Sequence, residues 1–176
     1  MYYTGVGSRE CPSDILDLIT QYATVLNNKG YILRSGGALG ADSAFQSGST
    51  NHEIYLPWEG FNGLYADSSS GFINPEHLSN YPEALSLAST LHPAWNKLSP
   101  GARKLHTRNV YQVLGLSLDN PSKALICWAL PDKYQVVKGG TGLAVRLALK
   151  HGVPVCNLYF AETVLKTQAI IKRSTM

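Results

Sequence analysis

A glycine-rich turn organises this chain: Leu33-Arg34-Ser35-Gly36-Gly37-Ala38-Leu39-Gly40-Ala41-Asp42-Ser43-Ala44-Phe45. It follows Gly30-Tyr31-Ile32, which predicts the start of a short buried strand, and residues 41–46 are typical of the first turns of a helix. The three glycines have no Cβ atoms, so backbone N–H groups can converge on a ligand where the strand gives way to the helix. Because a helix N-terminus carries partial positive charge, the turn suits a phosphate. Taken alone, it is also compatible with a tight turn that binds nothing.

Composition indicates one globular domain with a modest charge. The 176 residues are 44% hydrophobic and 15% charged, and the net charge is +3. We therefore expect a single domain over residues 1–176 with an ordinary buried core. The chain has no run of Lys or Arg, which argues against a protein that grips a long phosphate backbone by bulk charge. It permits a local anion pocket.

The cysteines and the N-terminal residues indicate the expected cellular location of the protein. Cys11, Cys127 and Cys156 are scattered, and no Cys/His cluster predicts a metal site. Cys127 and Cys156 lie in apolar runs, so we expect both to be buried thiols. The N-terminal residues 1–5 have no basic segment followed by a long apolar one, and we expect neither a signal peptide nor a membrane span. A cytoplasmic location is the expectation.

Strands alternate with helices along the chain. Strands are expected at 2–6, 31–34, 53–57, 123–129 and 153–159. Helices are expected to begin at Ser13 (as N-cap), Ala41, Tyr81, Ser99 or Pro100, the glycine turn 139–142, and Ala161. Residues 58–95 form an irregular insert, apart from the helix at Tyr81. This alternation predicts a doubly wound α/β fold with a mainly parallel sheet and helices on both faces.

Three glycine turns fall at the carboxyl ends of predicted strands. They are 5–9, 35–40 and 139–142. Ligands of such sheets bind at this edge, so the three turns together favour a nucleotide or sugar-phosphate pocket. The spacing matches neither the dinucleotide-binding Gly-x-Gly-x-x-Gly pattern nor a P-loop. Neither an ordinary NAD dehydrogenase nor an NTPase is therefore favoured, and no cofactor is expected.

These motifs resemble the SLOG superfamily, a Rossmann-like group that includes DprA (Smf) proteins, LOG phosphoribohydrolases and nucleotide-sensing domains of antiphage systems. The resemblance rests on Gly7-Ser8-Arg9, residues 35–42, Arg108-Asn109, Gly139-Gly140-Thr141 and the strand that begins at Gly152. It covers most of residues 2–159, is nearest to DprA-like proteins, and implies a stand-alone phage-type member that self-associates. If the protein is phage-encoded, the expected location is the host cytoplasm. The LOG pattern Pro-Gly-Gly-x-Gly-Thr-x-x-Glu has no counterpart of its catalytic glutamate here.

The main hypothesis is therefore binding rather than catalysis. The ligand would be a nucleotide-derived small molecule, such as an ADP-ribose-type or cyclic nucleotide signal, which a phage protein of this kind would sequester from the host. Glycine-turn residues would hold phosphates, arginines would neutralise charge, and Trp58 or Trp128 would stack on the base. The candidate ligand-binding residues are Gly7, Ser8, Arg9, Ser35, Gly36, Gly37, Ala38, Asp42, Trp58, Arg108, Asn109, Trp128, Gly139, Gly140, Thr141, Gly142 and Arg146.

Two alternatives remain. In a nucleotide N-glycosidase, Asp42, Glu10 or Glu59 would stabilise the reacting sugar or position water. A DprA-like protein would bind single-stranded DNA, which the low net charge does not favour. For Asp42 itself, one role is to cap backbone N–H groups and another is to hydrogen-bond a ribose hydroxyl. No membrane partner is expected.

Overall fold

Six short parallel strands form one sheet in a computed structural model that describes all 176 residues. The strands are β1 (Tyr2–Gly7), β2 (Ile32–Ser35), β3 (His52–Tyr55), β4 (Phe72–Ile73), β5 (Leu125–Trp128) and β6 (Val155–Asn157). Their order is β4-β3-β2-β1-β5-β6, and every neighbouring pair is parallel. The order reverses at β1, so the carboxyl ends of β1 and β5 meet at a topological switch point.

Six α-helices cover both faces of the sheet. They are α1 (Ser13–Asn28), α2 (Ala41–Ser47), α3 (Tyr81–Leu91), α4 (Pro100–Leu114), α5 (Gly139–Lys150) and α6 (Ala161–Ser174). On one face α1 packs against α2 and α6, and Ile19 and Phe45 are fully buried there. On the other face α4 packs between α3 and α5 around Val110 and Leu143. The predicted doubly wound fold is confirmed.

The residues at the two ends of α4 explain where this helix begins and ends. In α4 the Ser99 side chain caps the first turn by accepting from the Ala102 N–H, and Pro100 occupies the first helical position. Gly115 ends the helix with a positive φ of 75°, a conformation in which most side chains are strained. No helix of the protein is long and apolar enough to cross a membrane.

Several local predictions were wrong. The N-cap of α1 is Pro12, and Ser13 is the first helical residue, with no side-chain capping bond. Cys127 is buried, but Cys156 is exposed because β6 is an edge strand that pairs only with β5. The insert 58–95 is less irregular than expected, since it contributes the edge strand β4 as well as α3.

Candidate functional site

A cleft of about 410 Å³ lies at the switch point between β1 and β5. Four parts of the chain line it: residues 6–9 after β1, Ala38 and Asp42 from the turn before α2, one face of α4, and residues 129–144 around the start of α5. The cleft therefore brings together the three glycine turns that the sequence places far apart. This is the position at which open α/β sheets bind ligands.

The first two glycine turns pack directly against each other. A Cβ on Gly7 would lie 2.6 Å from the Trp128 carbonyl oxygen, and one on Gly40 would lie 2.6 Å from the Ser8 carbonyl oxygen. Gly40 also has a φ of 82°. Glycine is therefore required at both positions for the backbones to approach so closely. Beside them, Arg9 is exposed at the mouth of the cleft.

Asp42 joins these two turns through its carboxylate. Its Oδ1 accepts from the Gly7 N–H at 3.1 Å and its Oδ2 from the Ala38 N–H at 3.4 Å. Burial raises the pKa of Asp42 to about 6, although Arg108 and the backbone N–H groups oppose that rise. These contacts are those of the capping role. A hydrogen bond from Asp42 to a ribose stays a prediction.

Arg108 lies beneath the second glycine turn, where it is 5% exposed. Its Nη1 donates to the carbonyl oxygens of Gly36 and, at 2.9 Å, of Tyr55, and its Nε donates to Leu105 at 3.3 Å. A Cβ on Gly36 would overlap the guanidinium. Burial lowers the pKa of Arg108 to about 10, so the side chain stays charged at neutral pH. Arg108 therefore fixes the turn and supplies positive potential to the cleft.

The third turn forms the N-terminus of α5. Gly139, Gly140 and Thr141 line the cleft, and the Asn109 Nδ2 donates to the Gly140 carbonyl oxygen at 3.0 Å. First-turn N–H groups of a helix have no partner within the helix, and they attract anions. Just before the helix, the exposed Lys138 lines the cleft and pairs with Asp132 at 3.3 Å.

Other predicted ligand-binding residues lie outside the lining of the cleft. They are Ser35, Gly36, Gly37, Trp58, Trp128, Gly142 and Arg146. The Ser35 Oγ donates to the Gly5 carbonyl oxygen at 2.6 Å. Trp58 packs edge-to-face on Phe61, with ring centroids 5.2 Å apart.

The rest of this group lies beneath or behind the cleft. The Arg146 Nε donates away from it, to the Leu91 carbonyl oxygen at 3.2 Å. Gly142 packs under Val137, and Gly37 lines a second cavity of about 300 Å³. Trp128 packs against Tyr159, with ring centroids 6.4 Å apart.

Asp42 is the one carboxylate among the residues that line the cleft, because neither Glu10 nor Glu59 reaches it. Glu59 instead accepts from the Ala66 N–H and the Asn74 side chain. The chain holds no group of three or more His, Cys, Asp or Glu that could bind a metal ion. The glycosidase alternative is therefore left with one carboxylate whose two oxygens already accept backbone hydrogen bonds.

The structure adds cleft residues that the sequence-based list of ligand-binding residues lacked, notably His106, Gln112 and Lys138. His106 lies on α4 three residues before Asn109 and four after Ala102, and all three line the cleft. Residues three and four apart share one face of a helix. That spacing, counted back from Arg108-Asn109, was the signal that would have placed His106 here.

Comparison with known proteins identifies the fold but no family. No family model and no curated protein sequence matches the chain. A solved structure of DNA processing protein A from Helicobacter pylori is similar, with a TM-score of 0.58 over 88% of this chain and 18% sequence identity. That structure is described for its single-stranded DNA binding mode. This chain spans 63% of the length of that protein. The likeness shows that the two proteins share a Rossmann-like fold.

Proposed function

We propose that the cleft binds the phosphate backbone of single-stranded DNA. The observation that carries the proposal is that three glycine turns, the third of which forms the N-terminus of α5, meet at one cleft. The buried charge of Arg108 lies beside them, and two exposed cations, Arg9 and Lys138, lie at the mouth of the cleft. The similar fold of a protein described for its binding of single-stranded DNA supports the same ligand.

A phosphodiester matches the donors of this cleft. Backbone N–H groups of α5 would hold its oxygens, while Arg108 supplies potential from below without giving up its bonds to Gly36 and Tyr55. Arg9 and Lys138 are both exposed and can follow the strand, Lys138 in exchange for its surface pair with Asp132. Two mobile cations suit a short contact rather than a long electrostatic track.

Two exposed rings, Tyr159 and Phe160, follow β6 at the edge of the sheet where the cleft lies, and they support a single strand over a duplex. Trp128 precedes the cleft residue Ala129, and the rings of Trp128, Tyr159 and Phe160 follow one another with centroid distances of 6.4 and 5.4 Å. Tyr159 and Phe160 are 43% and 41% exposed. Unpaired bases stack on such rings, whereas paired bases of a duplex present only their edges.

The test is fluorescence anisotropy with labelled oligothymidine at several salt concentrations. We expect the affinity to fall as the salt concentration rises. Arg9→Ala should lower the affinity and should reduce the slope of log K against log salt concentration by about 0.7, the value for one phosphate contact on a single strand. Lys150→Ala is the matched control, because Lys150 is also an exposed cation but lies at the far end of α5. Absence of binding at low salt, or equal effects of the two variants, would refute the proposal.

The second candidate is a nucleotide-derived small molecule of the ADP-ribose or cyclic nucleotide type. The size of the cleft favours it, because about 410 Å³ falls within the range of small-ligand sites. Incubation with nucleotides, followed by release on heating and mass spectrometry, tests this candidate. A bound nucleotide would leave solution and return intact when the protein is heated. If it also displaces oligothymidine, the two ligands occupy the same site. A phage origin, sequestration of a host signal and self-association stay predictions within this candidate.

A further inference from the structure

A cluster of aromatic and cationic side chains adjoins the cleft where α4 meets the segment that joins it to α3. His106 belongs to α4 and lines the cleft. His92 and Trp95 belong to the joining segment, and both rings lie against His106, with centroid distances of 4.5 Å and 6.4 Å. The ring of His106 is therefore shared between the cleft and this cluster.

Two buried side-chain atoms of the protein have no hydrogen-bond partner, and both belong to this cluster. They are Nδ1 of His106 and Nε of Arg103. Arg103 lies one turn before His106 on α4 and holds its guanidinium 5.9 Å from the Trp95 ring centre. His106 is 7% exposed. Since folded proteins seldom leave buried polar groups unpaired, two in one cluster point to a missing partner.

An anion fits as the missing partner, because the groups around His106 are cationic or neutral. His92 faces it from the joining segment, Arg146 from α5 and Arg108 from its own helix. None of these arginines has a carboxylate within salt-bridge distance. Asp42 lies farther in, where its charge acts on Arg108.

This environment keeps His106 neutral while the cleft is empty. Burial lowers the pKa of His106 to about 4, with further lowering by His92, Arg146 and Arg108. An anion placed in the same position reverses the charge effect, because it favours the imidazolium and gives its N–H groups an acceptor.

We propose that a phosphate group in the cleft reaches His106, which takes up a proton on binding, so that His106 forms a proton-linked anion subsite beside His92. The inference rests on the proposed function only in that the ligand carries a phosphate, which either single-stranded DNA or a small nucleotide supplies. The proton comes from solvent and no covalent bond to the ligand forms.

The expected pH dependence follows from the size of such a shift. A neighbouring opposite charge moves a pKa by about 1–3 units, so a rise of about two would bring the pKa of His106 in the complex to about 6. The affinity would then increase roughly tenfold between about pH 7 and about pH 5, with uptake of about 0.8 proton at the lower pH.

Titration calorimetry with oligothymidine, in two buffers of different ionisation enthalpy, measures that uptake. Oligothymidine is the probe because neither its bases nor its phosphodiesters exchange protons in this range. His106→Gln should lower the uptake at about pH 5 by about 0.8 proton, and His151→Gln, at the exposed end of α5, should leave it unchanged. The pH dependence due to Asp42 survives in both variants and is thereby separated from that of His106.

A second measurement does not need a variant that folds. The ring proton shifts of His106 in the wild-type protein, followed by NMR with and without ligand, should show its pKa rising on binding. An unchanged pKa, or equal proton uptake by wild type and His106→Gln, overturns the inference.

ADP-ribose, whose phosphodiester groups also exchange no protons in this range, is run in parallel to separate the inference from the proposed function. Proton uptake with ADP-ribose, when oligothymidine does not bind, supports the inference and refutes DNA as the ligand. Binding of oligothymidine with no uptake refutes the inference alone, and absence of binding by every probe overturns both.

Discussion

Arg108→Met should destabilise the protein in a way that depends on pH. The substitution keeps most of the volume of the side chain but removes its charge and its donors. The carbonyl oxygens of Gly36 and Tyr55 lose the Nη1 that binds them both, and Asp42 loses the cation that opposes its desolvation. The loss in free energy of unfolding therefore has two parts, one from the unpaired carbonyl oxygens and one from the Asp42 carboxylate.

The carboxylate part has an upper limit, because Asp42 can take a proton. Its pKa is raised from 3.8 to about 6, so at pH 7 about 3 kcal/mol already opposes folding. Full neutralisation at pH 7 would cost about 4 kcal/mol, since the unfolded pKa lies about 3 units below that pH. Removal of Arg108 therefore adds at most about 1 kcal/mol through Asp42.

The carbonyl part brings the total to about 3–5 kcal/mol. Each buried group left without a partner costs about 1–3 kcal/mol, and two carbonyls that partly relax together cost about 2–4. The sum agrees with the roughly 3–5 kcal/mol measured when one partner of a buried ion pair is removed. At about pH 5 the carboxylate part vanishes, because Asp42 is then mostly protonated with or without Arg108.

Urea unfolding followed by tryptophan fluorescence, at about pH 7 and about pH 5, measures both parts. We expect a deficit that is smaller at the lower pH by up to about 1 kcal/mol. Arg173→Met is the control, because that exposed residue near the end of α6 should change stability by less than about 0.5 kcal/mol. A deficit for Arg108→Met below about 1 kcal/mol, or an equal one at both pH values, would refute this account of how Arg108 holds the turn.

Two further predictions concern the same side of the sheet. Gly36→Ala should lower the melting temperature, because the new methyl group would overlap the Arg108 guanidinium and displace it. Gly101→Ala is the control, because its methyl group would meet only Trp58, at 3.8 Å, and should not lower the melting temperature. Thermal unfolding of the two variants measures the difference. The lowered pKa of His106 means that the unfolded chain binds the extra proton between about pH 4 and 6.5, so the free energy of unfolding should fall as pH falls through that window. The raised pKa of Asp42 has the opposite effect on stability, so the two contributions must be separated. Urea unfolding at several pH values measures the difference in free energy of unfolding between wild type and His106→Gln. A difference that does not change with pH would contradict the assignment to His106.

The architecture was predictable because it depends on local signals. The alternation of strands and helices, the glycine turns and the start of α4 at Pro100 can each be recognised within about ten residues of sequence. Strand β4 could not be found in this way. It has two residues at the edge of the sheet, and pairing with β3 rather than local periodicity defines it.

The cleft was predictable only in part, because burial of polar residues depends on distant parts of the chain. The polar sequence of α4 is compatible with a solvated helix, yet His106, Arg108 and Asn109 are all buried. They are buried because α3, α5 and the turn at Gly36 pack around that helix. For the same reason Arg146, which the sequence suggests as a ligand residue, donates to the end of α3 instead.

Part of the positive charge of the cleft is held in place. Arg108 keeps its Nε and Nη1 on carbonyl oxygens of the protein, which fixes its charge beneath the second glycine turn. Contacts with the proposed ligand then come from the backbone N–H groups at the start of α5, where Asn109 donates to the Gly140 carbonyl oxygen, and from the exposed Arg9 and Lys138. A cleft of this kind needs few mobile cations, so the proposed phosphate binding is compatible with a net charge of only +3. It also implies that affinity should depend less on salt than for a protein with a long basic groove, because few counterions are released on binding.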